Sequence, residues 1–268
     1  MESKIITGDC ISVLKGMEDN VFDGVVFSPP YNNIRDYNGF SIDLNGLGKE
    51  LYRVLKDNTI CACVIGDSTK DFAKSLTSFR LAIDWVDNCG FRLFECCIYN
   101  RDGRPGAYWT QRFRVDHEYI MLFLKGSKPK YFNKETLKVN TKHSGVKWHG
   151  TQRLTDGELI KTNNDIVVAD KKCRGTIWKY NTSNTESNKL KMEHPATMPD
   201  KLAADLITCF VEPGGMVLDP TAGSGTTCVM AKSLGRNYVG IDISQEYVDI
   251  INKRLNNEFT SDIFQDGK

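Results

Sequence analysis

Two stretches of this chain carry residue types that can do chemistry. Residues 217–227 read Val-Leu-Asp-Pro-Thr-Ala-Gly-Ser-Gly-Thr-Thr, and residues 27–31, far upstream, read Phe-Ser-Pro-Pro-Tyr. In the first, Gly223 and Gly225 let the backbone pass close to a ligand, because neither carries a Cβ. Asp242 closes the apolar run that follows, where its carboxylate can accept both hydroxyls of a ribose. Glycines after one strand and an acid at the end of the next make a nucleotide-binding βαβ unit, with the ligand at the carboxyl ends of the strands. In the second stretch, Pro29 and Pro30 remove two backbone donors and fix φ, which stiffens the turn and aims carbonyls outward. Asp9 follows another short apolar run; the same position suits a ligand-facing acid or a helix N-cap.

These residues need elements to position them. Residues 216–218 predict a buried strand and 226–234 a helix that Gly235 ends, with a second strand over 237–243. Residues 4–7 predict the strand before Asp9, followed by a helix over 11–17. A continuous apolar run, 21–27, reads as a strand buried on both faces of a parallel sheet, and it delivers Ser28 to the sheet's edge. Residues 44–55 carry Leu47, Leu51, Val54 and Leu55 on one helical face. A third strand is expected over 58–66, then a helix over 76–89 with Leu81, Ile83 and Val86 apolar, then strands over 91–99 and 117–125. Beyond 126 the alternation breaks until a helix over 200–211. The last helix, capped by Ser244, turns Val248, Ile251 and Leu255 inward.

Asp-Pro-Thr-Ala-Gly-Ser-Gly-Thr-Thr together with Ser-Pro-Pro-Tyr resembles the amino-group DNA methyltransferases that use S-adenosylmethionine. The order of the two motifs is that of the family's β-class. The resemblance implies a doubly wound, mostly parallel, seven-stranded Rossmann-like α/β sheet with an inserted target-recognition region. The divisions expected are a catalytic half over 1–125, a basic recognition insert over 126–193 and a cofactor-binding half over 194–268. It further implies that Asp9 helps hold the cofactor's adenosine, that Asp219 lies near its methionine amine, and that Pro220, Gly223, Gly225, Thr226, Thr227 and Asp242 complete the site. His194-Pro195-Ala196-Thr197-Met198-Pro199 resembles the family motif that covers the methionine end of the ligand.

The implied reaction makes physical sense of these residues. An exocyclic base amine is a weak nucleophile, because its lone pair is delocalised into the ring. Acceptors that hold its hydrogens out of plane and take developing positive charge help it attack a methyl sulfonium. Ser28 Oγ and the Pro29 carbonyl are suited to that, and Tyr31 can stack on a base rotated out of the duplex. The cofactor brings an activated methyl group, so no metal is required. Ser at position 28 favours cytosine N4 by analogy with the family; adenine N6 is the alternative, with the same mechanism. A nicotinamide oxidoreductase would share the glycine loop and Asp242 but leaves Ser-Pro-Pro-Tyr unexplained. A DNA-binding protein that has lost catalysis is a further alternative, although both motifs are intact.

Composition agrees with a DNA partner once its distribution is considered. The net charge is only +1 over 268 residues, yet residues 125–193 hold 15 Lys and Arg against 7 Asp and Glu. A basic segment in an acidic body is an electrostatic footprint for phosphates, with a solvated loop as the structural alternative. Arg35, Arg101, Arg104, Arg112, Arg114, Lys147, Trp148, Arg153 and Arg174 are the expected contacts to double-stranded DNA, arginine interleaved with aromatics suiting phosphate contact and base stacking. Restriction-modification enzymes belong to this family, so a cognate restriction endonuclease is admitted as a partner.

Nine cysteines without a Cys-x-x-Cys pair read as reduced core residues. No Pro-Cys dipeptide occurs, which excludes the familiar cytosine C5 chemistry. No segment approaches the length of a membrane helix. The opening Met-Glu-Ser-Lys runs straight into a strand, leaving no room for a signal peptide, so a cytoplasmic protein with no membrane partner is expected.

Overall fold

Runs of consecutive apolar residues become strands covered on both faces. In the computed structural model, which describes residues 2–30, 42–102, 111, 113, 115–148, 150–161, 166–181 and 198–256, every residue of β2 (Gly24–Phe27), β3 (Thr59–Ile65) and β7 (Met216–Asp219) is buried. The others in the same sheet are β1 (Lys4–Thr7), β4 (Arg92–Asp102), β5 (His117–Lys125), β6 (Ile177–Asn181) and β8 (Asn237–Asp242). Their order is β1-β8-β7-β2-β3-β5-β4-β6. All neighbours pair in parallel except at β5, which is antiparallel to both β3 and β4. The carboxyl ends of seven strands therefore share one edge. This is the expected doubly wound, mostly parallel sheet, with β6 added beyond the seven strands.

The two motifs meet at the centre of that sheet. From β2 the chain winds outward to β3, and from β7 it winds the opposite way to β8. The strand order thus reverses between β2 and β7, which pair directly, Leu218 opposite Val25. Ligands of such sheets bind in the crevice opened by this reversal.

Among the described residues, six helices cover the sheet: α1 (Cys10–Lys15), α2 (Leu44–Val54), α3 (Thr77–Asn88), α4 (Asp200–Phe210), α5 (Thr226–Ser233) and α6 (Gln245–Asn256). Val25 and Phe27 of β2, with Cys61, Cys63 and Ile65 of β3, join Leu14, Leu47, Leu51, Leu81 and Trp85 in one apolar cluster under α1–α3. Their alternate neighbours Val26, Ala62 and Val64 are buried on the opposite face. Trp85 is central to the cluster: its ring lies 4.8 Å from that of Phe123 and 5.5 Å from that of Phe91, and its Nε1–H donates to the Leu44 carbonyl at 2.8 Å. All nine cysteines are free thiols, seven of them buried.

Three local expectations change. The strand expected over 21–27 is regular only from Gly24, because Phe22 makes a single bridge to Leu55. In α3 the inward stripe is Ser78, Leu81 and Trp85, while Ile83 and Val86 face outward. Ile177–Asn181, inside the stretch read as irregular, is a sheet strand whose Trp178 and Tyr180 are buried; the Tyr180 hydroxyl donates to Asp205 Oδ2 of α4 at 2.7 Å. Of the C-terminal helix's expected core residues, Val248, Ile251 and Leu255 are all buried.

Contacts divide the chain into two compact units, Met1–Phe132 with Thr176–Lys268, and Asn133–Gly175. The second unit is a nested antiparallel ribbon. Lys138–Asn140 pairs with Lys171–Cys173, Lys147–Trp148 with Ile166–Val167, and Thr151–Arg153 with Leu159–Lys161. A turn at its tip is closed by Leu154 N–H donating to the Glu158 carbonyl at 2.8 Å. Most of its described residues are exposed.

Candidate active site at the carboxyl edge of the sheet

The glycine loop after β7 is held from both sides. On one side the Thr221 hydroxyl donates to the Ser28 carbonyl at 3.2 Å, and the Thr227 hydroxyl donates to the Val26 carbonyl at 3.1 Å. On the other, Ala222 N–H donates to the Ile241 carbonyl and Gly223 N–H to Asp242 Oδ2, both at 2.8 Å. Two strands separated widely in sequence are thereby latched to one turn. Gly223 (φ +51°) and Gly225 (φ +78°) both occupy the left-handed region.

Gly225 has a different packing role from the one expected of it. A Cβ there would come 2.7 Å from Ile251 of α6, so the missing side chain makes room for a helix. Thr226 and Ser224 are buried beside it, and Thr227 is fully buried against β2. Pro220 continues directly from the end of β7.

Three acids line the edge. Asp219 is only 4 % exposed, and burial pushes its carboxyl up to about 7, with the neighbouring Asp242 adding to the rise and a hydrogen bond from Thr221 N–H at 3.1 Å opposing it. Asp242 is likewise raised by burial. Its two oxygens already accept Gly223 N–H and Ser244 N–H, the latter at 2.9 Å, so this acid also shapes the loop. Lone pairs remain on both oxygens for a ligand. Asp9 caps α1: its Oδ1 accepts Ser12 N–H at 2.9 Å and the Ser12 hydroxyl at 2.7 Å. Gly8 N–H donates to the Asp242 carbonyl at 2.8 Å, which brings Asp9 to the same edge. A carboxylate poised between neutral and ionised in an enclosed turn is suited to a cationic ligand group.

Ser28 is half-buried and Pro29 buried at the end of β2, beside half-buried Pro30. Tyr31, His194 and Pro195 lie outside the described residues, as do Arg35, Arg104, Arg112 and Arg114. Arg101, expected to contact DNA, has internal partners: Nη1 donates to Glu118 Oε1 at 3.0 Å and Nη2 to the Val115 carbonyl at 3.3 Å. Lys147 and Trp148 pair in register with Val167 and Ile166 on the ribbon. Lys147 and Arg153 are exposed there and Arg174 is half-buried.

One residue of this edge escapes sequence reasoning. Arg254 of α6 is fully buried; it donates through Nη1 to the Ser224 carbonyl of the glycine loop, and its Nη2 lies 3.8 Å from Asp200 at the start of α4. Its Nε and Nη2 have no hydrogen-bond partner among the described residues. Burial lowers its pKa, against Asp200, which raises it. An arginine in a polar helix near the chain's end carries no motif, so only its burial marks it.

Comparison with known proteins decides what this edge belongs to. Residues 22–253 match the family model described as DNA methylase, for N6 and N4 amino groups. The chain belongs to the DNA methylase family. Among relatives of this methylase, the orphan methyltransferase M.BamHII of Bacillus amyloliquefaciens is 36 % identical over 242 residues, covering 89 % of this chain and 90 % of the relative. The DNA adenine methyltransferase YhdJ of Escherichia coli is 26 % identical, with 94 % and 82 % covered. In fold, the methylase is similar to the PvuII DNA methyltransferase (cytosine-N4-specific), with a TM-score of 0.72 at 19 % identity, covering 97 % of this chain and 89 % of the other. Among the methylase's described residues, no helix is long and apolar enough to cross a membrane.

Proposed function

We propose that this methylase transfers a methyl group from S-adenosylmethionine to the exocyclic amine of a flipped-out base in double-stranded DNA, at cytosine N4. The observation that carries the reading is the latch between Thr221 and the Ser28 carbonyl, which joins the glycine loop to the Ser-Pro-Pro turn across the strand reversal. Membership of the family supplies the reaction class, and the latch supplies this chain's own arrangement for it.

S-adenosylmethionine supplies an activated methyl group when bound. Everything else falls to the protein's residues. Asp219 is assigned to the cofactor's ammonium group, Asp242 to its ribose and Asp9 to the adenosine. Pro220, Gly223, Gly225, Thr226 and Thr227 form and brace the turn, and His194 and Pro195 are assigned to the methionine end. Ser28 Oγ and the Pro29 carbonyl accept the amine's hydrogens, Pro30 stiffens the turn, and Tyr31 stacks on the base. Residues 1–125 and 194–268 then act as catalytic and cofactor halves and 126–193 as the recognition insert. Within that insert Lys147, Arg153 and Arg174 are assigned to the DNA backbone with Trp148 beside them; Arg35, Arg104, Arg112 and Arg114 are assigned to DNA from the catalytic half. A cognate restriction endonuclease would give the modification its biological setting.

The test is duplex DNA methylated with labelled S-adenosylmethionine, digested to nucleosides and resolved by mass spectrometry. N4-methylcytosine supports the reading. N6-methyladenine, the second reading favoured by the likeness to YhdJ, keeps the site and replaces the base. No labelled base, with cofactor binding intact, overturns it.

A further inference from the structure

Backbone strain is concentrated in one short stretch of this chain. Among the described residues, the non-glycine residues with positive φ are Asn20, Asn58, Asp71, Phe72 and Leu76. Asparagine and aspartate tolerate that conformation, whereas phenylalanine and leucine rarely adopt it. Phe72 and Leu76, the two intolerant ones, both lie in or beside the hairpin in which Thr69–Lys70 pairs with Ala73–Lys74. Asp71 (φ +49°) and Phe72 (φ +61°) are its two turn residues. Two-residue hairpin turns that need positive φ at both positions normally take Asn-Gly or Asp-Gly. Here phenylalanine stands where glycine would be at ease, and it is 55 % exposed.

Strain of this kind persists where the surroundings enforce it, and it clusters at functional sites. The enforcement is at the hairpin's root. Asp67 Oδ1 accepts the Ser75 hydroxyl and Ser78 N–H, both at 3.1 Å, and its Oδ2 accepts the Ser78 hydroxyl at 2.6 Å. Ser75 N–H donates to the Ser68 carbonyl at 3.1 Å, so the hairpin is tied to itself and to the first turn of α3. The root also stands beside the Ser-Pro-Pro turn. β3 runs parallel to β2 with Cys63 opposite Phe27, and it ends two residues later at Ile65. The hairpin therefore leaves the sheet at the edge that carries Ser28, one strand spacing, roughly 5 Å, to the side. Lys70, exposed, and Lys74, half-buried, bracket the turn against the single acid Asp71. An aromatic between two cations suits a stack of bases with its phosphates.

We propose that Phe72 is a wedge that enters the DNA duplex and takes the stacking position a target base vacates when it rotates toward Ser28. The proposal rests on the methyl-transfer reading above. Rotating a base out of the duplex forfeits its stacking and pairing, and an apolar ring inserted between base steps offsets part of that loss. Lys70 and Lys74 hold the flanking phosphates, and the Asp67 anchor keeps the ring presented before DNA arrives.

The test begins with the wild-type chain and labelled S-adenosylmethionine, which locate the methylated base in duplex DNA. Two oligonucleotide duplexes carrying that site are then compared, one fully paired and one mismatched opposite the target base, where flipping is already eased. Phe72→Gly is expected to melt no lower than the wild type, since glycine adopts φ +61° without strain, and to bind S-adenosylmethionine equally well. Its Kd and KM for the paired duplex should rise about tenfold, while those for the mismatched duplex stay within about threefold of wild type. Phe72→Trp should keep wild-type values on both. Equal losses on the two duplexes, no loss on the paired one, a Phe72→Trp as weak as Phe72→Gly, or a Phe72→Gly that melts well below wild type overturns the wedge and leaves the methyl-transfer reading standing. A wild type that labels no DNA sinks that reading and the wedge with it.

Discussion

The edge of the sheet and the 133–175 ribbon are built on opposite principles. At the edge, Asp219, Ser224, Thr226, Thr227 and Arg254 are buried polar groups, and the loop they surround is tied to β2 on one side and β8 on the other. The ribbon has short two- and three-residue pairings and a surface of exposed Lys and Arg. Burial makes each edge residue depend on its neighbours, since an orphaned buried polar group costs about 1–3 kcal/mol. The ribbon's charges act through solvent and are individually weak and separable. On the function proposed above, the difference would separate a preorganised site for a constant ligand from a surface free to vary with the DNA sequence.

Perturbing the edge should therefore be severe and specific to the cofactor. Gly225→Ala adds a Cβ at φ +78° and presses it on Ile251, so it should cost about 2–4 kcal/mol in chemical unfolding, from left-handed strain and overpacking combined. Near-wild-type stability would show that α6 yields at this point. Asp219 to Asn should weaken S-adenosylmethionine binding on the order of a hundredfold in calorimetry, while leaving DNA affinity nearly intact. Equal binding would remove Asp219 from the cofactor site.

The titration of Asp219 gives a graded version of the same contrast. Its carboxyl is raised to about 7 from an ordinary value near 4, so the folded protein holds a proton that the unfolded chain has released. That makes its contribution to stability fall as pH rises from about 4 to about 7. A cationic ligand group favours the ionised form. Cofactor affinity should thus tighten as pH rises through about 7, and Asp219→Asn should flatten that profile. A profile unchanged in the variant would assign the titration to another group.

Arg254→Met should raise the cofactor's KM about tenfold with little change in kcat, and Arg254→Lys should recover part of the loss. A purely structural arginine would instead lower stability and both constants together. The smallest effect belongs to the ribbon. Lys147→Ala or Arg153→Ala should reduce DNA affinity about threefold to tenfold and shallow its salt dependence by about one counterion, without altering cofactor affinity. A loss of cofactor binding in these variants would break the distinction between the two regions.

Much of this architecture is readable in order along the chain. Continuous apolar runs locate β2, β3 and β5, and the span expected for β5 coincides with His117–Lys125. Asp9 and Gly235 mark a helix start and a helix end where their chemistry says they should. The reading is weaker wherever a residue's role depends on what lies across from it. Trp178 and Tyr180 look like aromatics scattered through a basic loop until β4 is there to pair with them. Arg101 looks like a free cation until Glu118 is placed opposite.

Sequence by itself determined the two motifs, their order and the strands that lead into them, because local periodicity and turn chemistry are properties of neighbouring residues. Only the tertiary structure decided that Thr221 reaches the Ser28 carbonyl, that Gly225 makes room for Ile251, and that Arg254 is sealed beneath the loop. It also decided which stripe of α3 faces the core. That helix has more apolar positions than one face can bury, and a helical period fixes which residues share a face but not which face the sheet will cover.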